Sequence, residues 1–176
     1  MQRILIIGSG GAGKSTFSTK LGVCLDLPVI HLDTLYWRPG WVDTPPEEWA
    51  KVVAAEIARP RWIMDGNYGG TMEMRLAACD TVIFLHLSPW ICLRRALYRR
   101  WKYRRVSRPD MNPGCPEQID LEFLKWIWNY PATKAPKILE MLERLKPTKT
   151  VVVLRSPREI DDFLVRLSPA TSASAT

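Results

Sequence analysis

The chain has 176 residues, 47% hydrophobic and 24% charged, with a net charge of +7. That length suits one domain able to bury its own core, and the composition excludes wholesale disorder. No apolar run is long enough to span a membrane, and Ile4–Ile7 runs into glycines rather than a leader cleavage site, so a soluble, cytoplasmic protein without a membrane partner is expected.

Ile4–Ile7 is a short, continuous apolar run, the pattern of a buried parallel strand. Phe17, Leu21, Cys24 and Leu25 recur at helical spacing over residues 15–25, and Val29–Leu32, introduced by Pro28, forms a second strand. Thr44-Pro45-Pro46-Glu47 has the form of a capping box. It opens a helix with Trp49, Val52, Val53 and Ile57 on one face, ending before Pro60. Trp62–Met64 and Thr81–Leu87 are the third and fourth strands. Over residues 91–105 a helical wheel puts Leu93, Leu97 and Trp101 on one packed face, with Arg100 and Arg104 further along it. Arg94, Arg95, Arg99 and Arg105 fall elsewhere on that wheel. Thr150–Leu154 is a fifth strand, and Ser156-Pro157-Arg158-Glu159 caps a last helix ending near Leu167. The tail, residues 168–176, has nothing to bury and is read as disordered.

Strand and helix in alternation predict an α/β fold, a five-stranded parallel sheet covered by helices on both faces. We expect one domain over residues 1–167, with 34–60 as a substrate-side segment and 99–115 as a lid. Ligands of such sheets bind beyond the carboxyl ends of the strands. Attention therefore falls on Gly8–Ser15, Asp33, Asp65, Ser88 and Arg155.

Gly8-Ser9-Gly10-Gly11-Ala12-Gly13-Lys14-Ser15 matches the phosphate-loop pattern GxxxxGK[ST] in full, between a strand and a helix. Glycines let successive N–H groups curl inward toward phosphate oxygens, and the helix N-terminus adds its own donors. Lys14 would meet the β- and γ-phosphates of ATP, Ser15 would offer its hydroxyl to Mg²⁺, and Thr16 could reach the α-phosphate. Asp65, delivered by a hydrophobic strand, suits the acid needed near Mg²⁺. Asp33 could position or deprotonate an acceptor hydroxyl. Either aspartate could instead be a turn residue.

Between Arg94 and Arg108 stand seven arginines, one lysine and no acid. Three readings remain open: a lid closing on the transferring group, a solvated basic face, or a contact to nucleic acid with Trp101 and Tyr103 as stacking partners. Tyr36, Trp37, Arg38, Asn67 and Tyr68 could hold a planar acceptor, and Arg38 and Arg75 a phosphate on it. Core and loop packing explains the same aromatics equally well. His31 and His86 read as structural. Cys24, Cys79, Cys92 and Cys115 have no CxxC spacing and read as reduced thiols without zinc.

Gly8–Ser15, the run Val29–Trp41, Met64-Asp65-Gly66-Asn67-Tyr68 and Leu154–Pro157 resemble bacterial topology modulation proteins of the FlaR type. Those are similar to adenylate kinase and to small nucleoside, shikimate and gluconate kinases. The resemblance spans about residues 1–167. It implies a P-loop, nucleoside-monophosphate-kinase-like three-layer fold and an ATP- and Mg²⁺-dependent kinase with a small-molecule acceptor. It implies that Asp65-Gly66 orients the metal, that Arg95, Arg99 and Arg100 serve as lid arginines in a register left open, and that Arg155-Ser156-Pro157 borders the adenine. It leaves open a monomer or a homodimer, and the label would imply a DNA-linked role. The adenylate kinase signature continues Phe-Pro-Arg where this chain has Asn67-Tyr68-Gly69, so the arginine for an acceptor phosphate is missing there.

Overall fold

Successive side chains of a strand point to opposite faces, so a strand apolar at every position needs cover on both. Ile4 and Ile6 join one buried cluster with Phe17, Leu21 and Leu164, while Leu5 and Ile7 join another with Trp49, Val53 and Leu142. The computed structural model, which describes residues 1–104 and 111–167, shows how the chain supplies those two layers. The central strand β1 (Arg3–Gly8) is followed by α1 (Lys14–Leu25), β2 (Val29–His31) and the short α2 (Leu32–Tyr36). A small antiparallel hairpin follows, β3 (Trp37–Arg38) with β4 (Val42–Asp43), then α3 (Pro46–Ile57), β5 (Trp62–Asp65) and α4 (Met72–Ala78). The remaining elements are β6 (Thr81–Leu85), α5 (Pro89–Lys102), α6 (Leu121–Thr133), α7 (Ala135–Leu145), β7 (Thr150–Leu154) and α8 (Pro157–Leu167).

The main sheet is five-stranded and parallel throughout, in the order β2-β5-β1-β6-β7. Strand order reverses direction around β1, and that switch point opens a crevice at the carboxyl edge. The loop after β1 and the ends of β2 and β5 all reach this edge, which matches the expected α/β architecture.

Four local readings differ from the structure. Thr44 does not cap α3; its hydroxyl donates to the Tyr36 carbonyl at 2.5 Å and ties the hairpin to α2, leaving Pro45 at the cap. The fourth strand stops at Leu85, so His86 lies just past its end. Leu97 and Trp101 are 52% and 66% exposed rather than packed. The buried positions of α5 are Cys92 and Ala96, which rotates the helix away from the face drawn on the wheel. Helices α4, α6 and α7 escape the pattern reading; Pro131 near the end of α6 and Pro136 in the first turn of α7 read in the sequence as breaks, although both are accommodated. The expected lid falls partly, at 105–110, and the expected tail wholly outside the described residues. The Ser156 cap is present: Glu159 N–H donates to the Ser156 hydroxyl at 3.1 Å, and the Glu159 carboxylate accepts from Arg155 N–H at 2.8 Å.

Candidate active site at the carboxyl edge of the sheet

The phosphate loop takes its shape from residues that can enter the left-handed region. Gly11 has φ +72° and Gly13, the N-cap of α1, has φ +91°. At Gly11 a Cβ would stand 2.2 Å from the Cys92 carbonyl oxygen, so only glycine lets the first turn of α5 seat against the loop. Among the described residues no protein acceptor meets the N–H groups of Gly11, Gly13, Lys14 or Ser15. Such a row of unpaired donors at a helix N-terminus fits an anion. Ser9 is buried in the loop, and Gly10 touches the Phe123 ring of α6, which is stacked on Trp126.

Lys14 curls back over the loop, its ammonium donating to the carbonyls of Gly8 at 3.0 Å and Ser9 at 3.1 Å. Desolvation holds its pKa below the ordinary lysine range, against the opposing pull of Asp33 and Asp65. Asp65 ends β5 with 2% exposure. One of its oxygens accepts from the Ser15 hydroxyl at 3.4 Å, and the other meets His31 Nδ1 at 2.5 Å. Asn67 clasps the loop to the end of β5: its carbonyl accepts Gly8 N–H at 3.1 Å and its amide donates to Gly8 O at 2.8 Å. Asp33 stands in the first turn of α2, and the Tyr68 hydroxyl donates to its Oδ1 at 2.6 Å. Burial, with the Asp33 carboxylate beside it, pushes the Tyr68 phenol well above its usual range, so it stays a donor.

Lys14, Ser15, His31, Asp33, Asn67 and Tyr68 line one cleft of about 1280 Å³, and Asp65 lies buried behind it, joined to it through Ser15 and His31. Gly10–Thr16 form its floor, while His31, Asp33, Trp37, Trp41, Asn67 and Tyr68 form one end. Ile160, Asp161 and Leu164 of α8 form the other, one turn beyond Arg155 and Pro157. The hairpin is strapped to the segment 111–117: Gly40 N–H donates to Gly114 O at 2.9 Å, and the Trp41 indole donates to Pro116 O at 3.0 Å.

Several residues proposed from sequence lie elsewhere. Arg75 is fully buried and donates to the carbonyls of Gly66, Asn67, Tyr68 and Thr71, so its guanidinium cannot hold an acceptor phosphate. Arg38 is exposed and pairs with Glu48 on α3, outside the cleft. Tyr36 is packed among the rings of Trp37, Trp49 and Tyr68 rather than lining the cleft. Arg100, which the wheel favoured, turns away and donates to Arg104 O at 3.3 Å, because burial of Cys92 and Ala96 sets the helix rotation. Arg95 does reach the loop, donating to Ala12 O at 3.1 Å. Arg99 lines the cleft with its Nε on Glu117, a carboxylate 4% exposed, at 2.7 Å. Neither Arg155 nor Pro157 lines the cleft. His31, Glu117, Phe123 and Trp126 were not read as site residues. The spacing of Phe123, Trp126, Ile127 and Tyr130 could have revealed α6.

Among the described residues no group of three or more His, Cys, Asp or Glu is placed to hold a metal. The hard oxygens of Ser15 and Asp65 nevertheless fit a magnesium ion that takes its other ligands from phosphates and water.

No protein-family model matches the chain, and no curated protein matches it. Among solved structures, a protein of Chloroflexus aurantiacus described as a kinase is 16% identical, with a TM-score of 0.52 over 95% of this chain and 97% of that one. Shikimate kinase of Bacteroides thetaiotaomicron is 16% identical, with a TM-score of 0.49 over 94% of this chain and 95% of that one. Deoxyadenosine kinase of M. mycoides with bound dCTP is 14% identical, with a TM-score of 0.47 over 93% of this chain and 97% of that one. The first of these shows a shared fold. With the phosphate loop and the strand order, it makes this chain a P-loop, nucleoside-monophosphate-kinase-like α/β fold.

Proposed function

We propose that the protein is an ATP-dependent phosphotransferase acting on the hydroxyl of a small molecule. The observation that carries this reading is one cleft in which Asp33 stands near enough to Lys14 to act on its charge, beside the Ser15–Asp65 pair. The description of the Chloroflexus protein as a kinase agrees with it.

The unpaired loop amides and Lys14 would hold the β- and γ-phosphates. Ser15 and Asp65 would hold Mg²⁺, which when bound neutralises phosphate charge. His31 fixes the second oxygen of Asp65, leaving the first toward Ser15. Arg95 stands at the loop, where a guanidinium can stabilise charge that develops during transfer. Tyr68 occupies Oδ1 of Asp33 and leaves Oδ2 for the acceptor hydroxyl. The acceptor oxygen forms a bond to the γ-phosphorus, the bond to the ADP oxygen breaks, and the hydroxyl proton passes to Asp33. ATP loaded with labelled γ-phosphate and offered a panel of alcohols tests this. Transfer is expected, and Lys14→Ala should abolish it while leaving circular dichroism unchanged; turnover retained in that variant would overturn the reading.

A second reading gives α5 a nucleic-acid contact, in line with the resemblance to topology modulation proteins. It is favoured by exposed Trp101 and Tyr98 on a helix that carries five cations and no acid. Single-stranded DNA affinity that falls steeply with salt, and is lost in Arg94→Gln/Arg104→Gln, would support it. Flat or absent binding removes it.

A further inference from the structure

Resting on the kinase reading above, we infer that the acceptor is a ring-bearing alcohol with no phosphate or carboxylate, such as a nucleoside rather than a nucleotide or a hydroxy acid. The inference comes from following each cation near the acceptor end to its partner.

Two arginines flank that end in sequence, and neither serves it. Arg75 lies beneath the floor, fully buried, its three nitrogens on the carbonyls of four residues. Arg38 points outward to Glu48. Among the described residues, the cations that do line the cleft each have a partner of their own. Lys14 and Arg95 are bound to carbonyls of the phosphate loop. Arg99 is matched to the buried carboxylate of Glu117. Lys20 lies with Asp161 at the far end, between α1 and α8. Lys102, at the solvent-exposed end of α5, sits over the Tyr103 ring, 5.2 Å from its centroid.

Among the described residues, what faces the acceptor space beside Asn67 and His31, whose Nδ1 meets Asp65, is therefore anionic and aromatic. Asp33 supplies a carboxylate, and Trp37, Trp41 and Tyr68 supply rings, the two indoles meeting edge to face with centroids 5.2 Å apart. Rings hold a planar body by stacking and burial. A phosphate or carboxylate on that body would lose its hydration beside Asp33 and gain no guanidinium among the described residues. An acid desolvated without a partner, next to a like charge, is strongly disfavoured.

The experiment uses the full chain with Mg-ATP and matched pairs. Adenosine, cytidine and thymidine are run against their 5′-monophosphates, and neutral cyclic polyols against ring hydroxy acids. ATP binding is measured separately by calorimetry. We expect kcat/KM for the neutral member of a pair to exceed that of its acid by about tenfold or more. Trp37→Ala should raise KM for the preferred ring-bearing acceptor about tenfold at unchanged ATP affinity. Trp37→Phe should restore it, which a merely structural loss would not. Monophosphates or hydroxy acids used as well as or better than their neutral partners would overturn the inference and leave the kinase reading standing. So would bound ATP with no transfer to any neutral alcohol of the panel. Absence of ATP binding would overturn the kinase reading itself, and this inference with it.

Discussion

Replacing Arg75 with alanine should lower folding stability by about 3–5 kcal/mol, because four backbone carbonyls lose a charged donor and a fully buried side chain leaves a cavity. Its Nη1 donates to Gly66 O at 2.9 Å, and its Nη2 to Asn67 O at 2.9 Å and Tyr68 O at 2.7 Å. Hydrogen bonds to charged groups contribute roughly 1.5–3 kcal/mol each, and a buried carbonyl left without a donor adds its own penalty. The gross loss is thus larger than 3–5 kcal/mol, but removal of the guanidinium also removes its desolvation. That opposing effect is visible in its pKa, lowered to about 10 by burial. For a domain of this size each kcal/mol moves the melting temperature by about 2–4 °C, so the midpoint should fall by roughly 10 °C. Urea unfolding at fixed pH, with a check that the slope is unchanged, gives the free energy directly. Arg75→Lys should recover only part of the loss, since one ammonium cannot span carbonyls fanned along three consecutive residues. A loss below about 1 kcal/mol, with a rise in acceptor KM instead, would refute the reasoning and return Arg75 to the ligand-holding role expected from sequence.

Gly11→Ala combines a left-handed φ with a Cβ 2.2 Å from a backbone oxygen, and should destabilise by about 2–4 kcal/mol while weakening ATP binding; equal thermal unfolding of variant and wild type would contradict it. Because burial lowers the Lys14 pKa, ATP affinity should begin to fall at a pH below lysine's ordinary 10.5, and Lys14→Arg, whose charge persists, should flatten that limb in calorimetry across the alkaline range. The folded chain also binds that proton less tightly than the unfolded chain does. Wild-type stability should therefore gain from this group as pH rises between the lowered value and 10.5, a gain that melts of Lys14→Met should lack. Tyr68→Phe deletes the hydroxyl at Asp33 Oδ1 and should raise acceptor KM more than it lowers the melting point; an unchanged KM would remove Tyr68 from the site.

The shape of the phosphate loop, the parallel strands and the position of Asp65 at a strand end were legible because each is local. A loop's glycines, an apolar run and an acid at a strand end are decided within a few residues. Helix α5 was not legible in the same way. Its wheel carries Leu97 and Trp101 on one side and arginines on several, and hydrophobicity alone chose the leucine and tryptophan as the packed face. The structure instead seats the small residues Cys92 and Ala96 inward, since only small side chains let the helix approach the loop at Gly11. That rotation of less than half a turn decides which arginines meet the cleft: Arg95 and Arg99 line it, and Arg100 leaves.

The same consideration explains why substrate charge could not be read from composition. A sequence with a net charge of +7 and arginines on both sides of its candidate site suggests an acidic acceptor. Charge acts on a ligand only where it is not already satisfied, and satisfaction is a matter of tertiary partners. Glu117 lies 18 positions from Arg99 in sequence and buries its carboxylate against it. The carbonyls that take up Arg75 come from the turn just after Asp65, bent back by α4. Arg38 is turned outward by Glu48 on α3, the helix that follows the hairpin. With those three guanidiniums accounted for, Asp33 is the charge that dominates the acceptor end among the described residues, and on the acceptor inference above a chain with a surplus of positive charge would present a pocket that selects against acids.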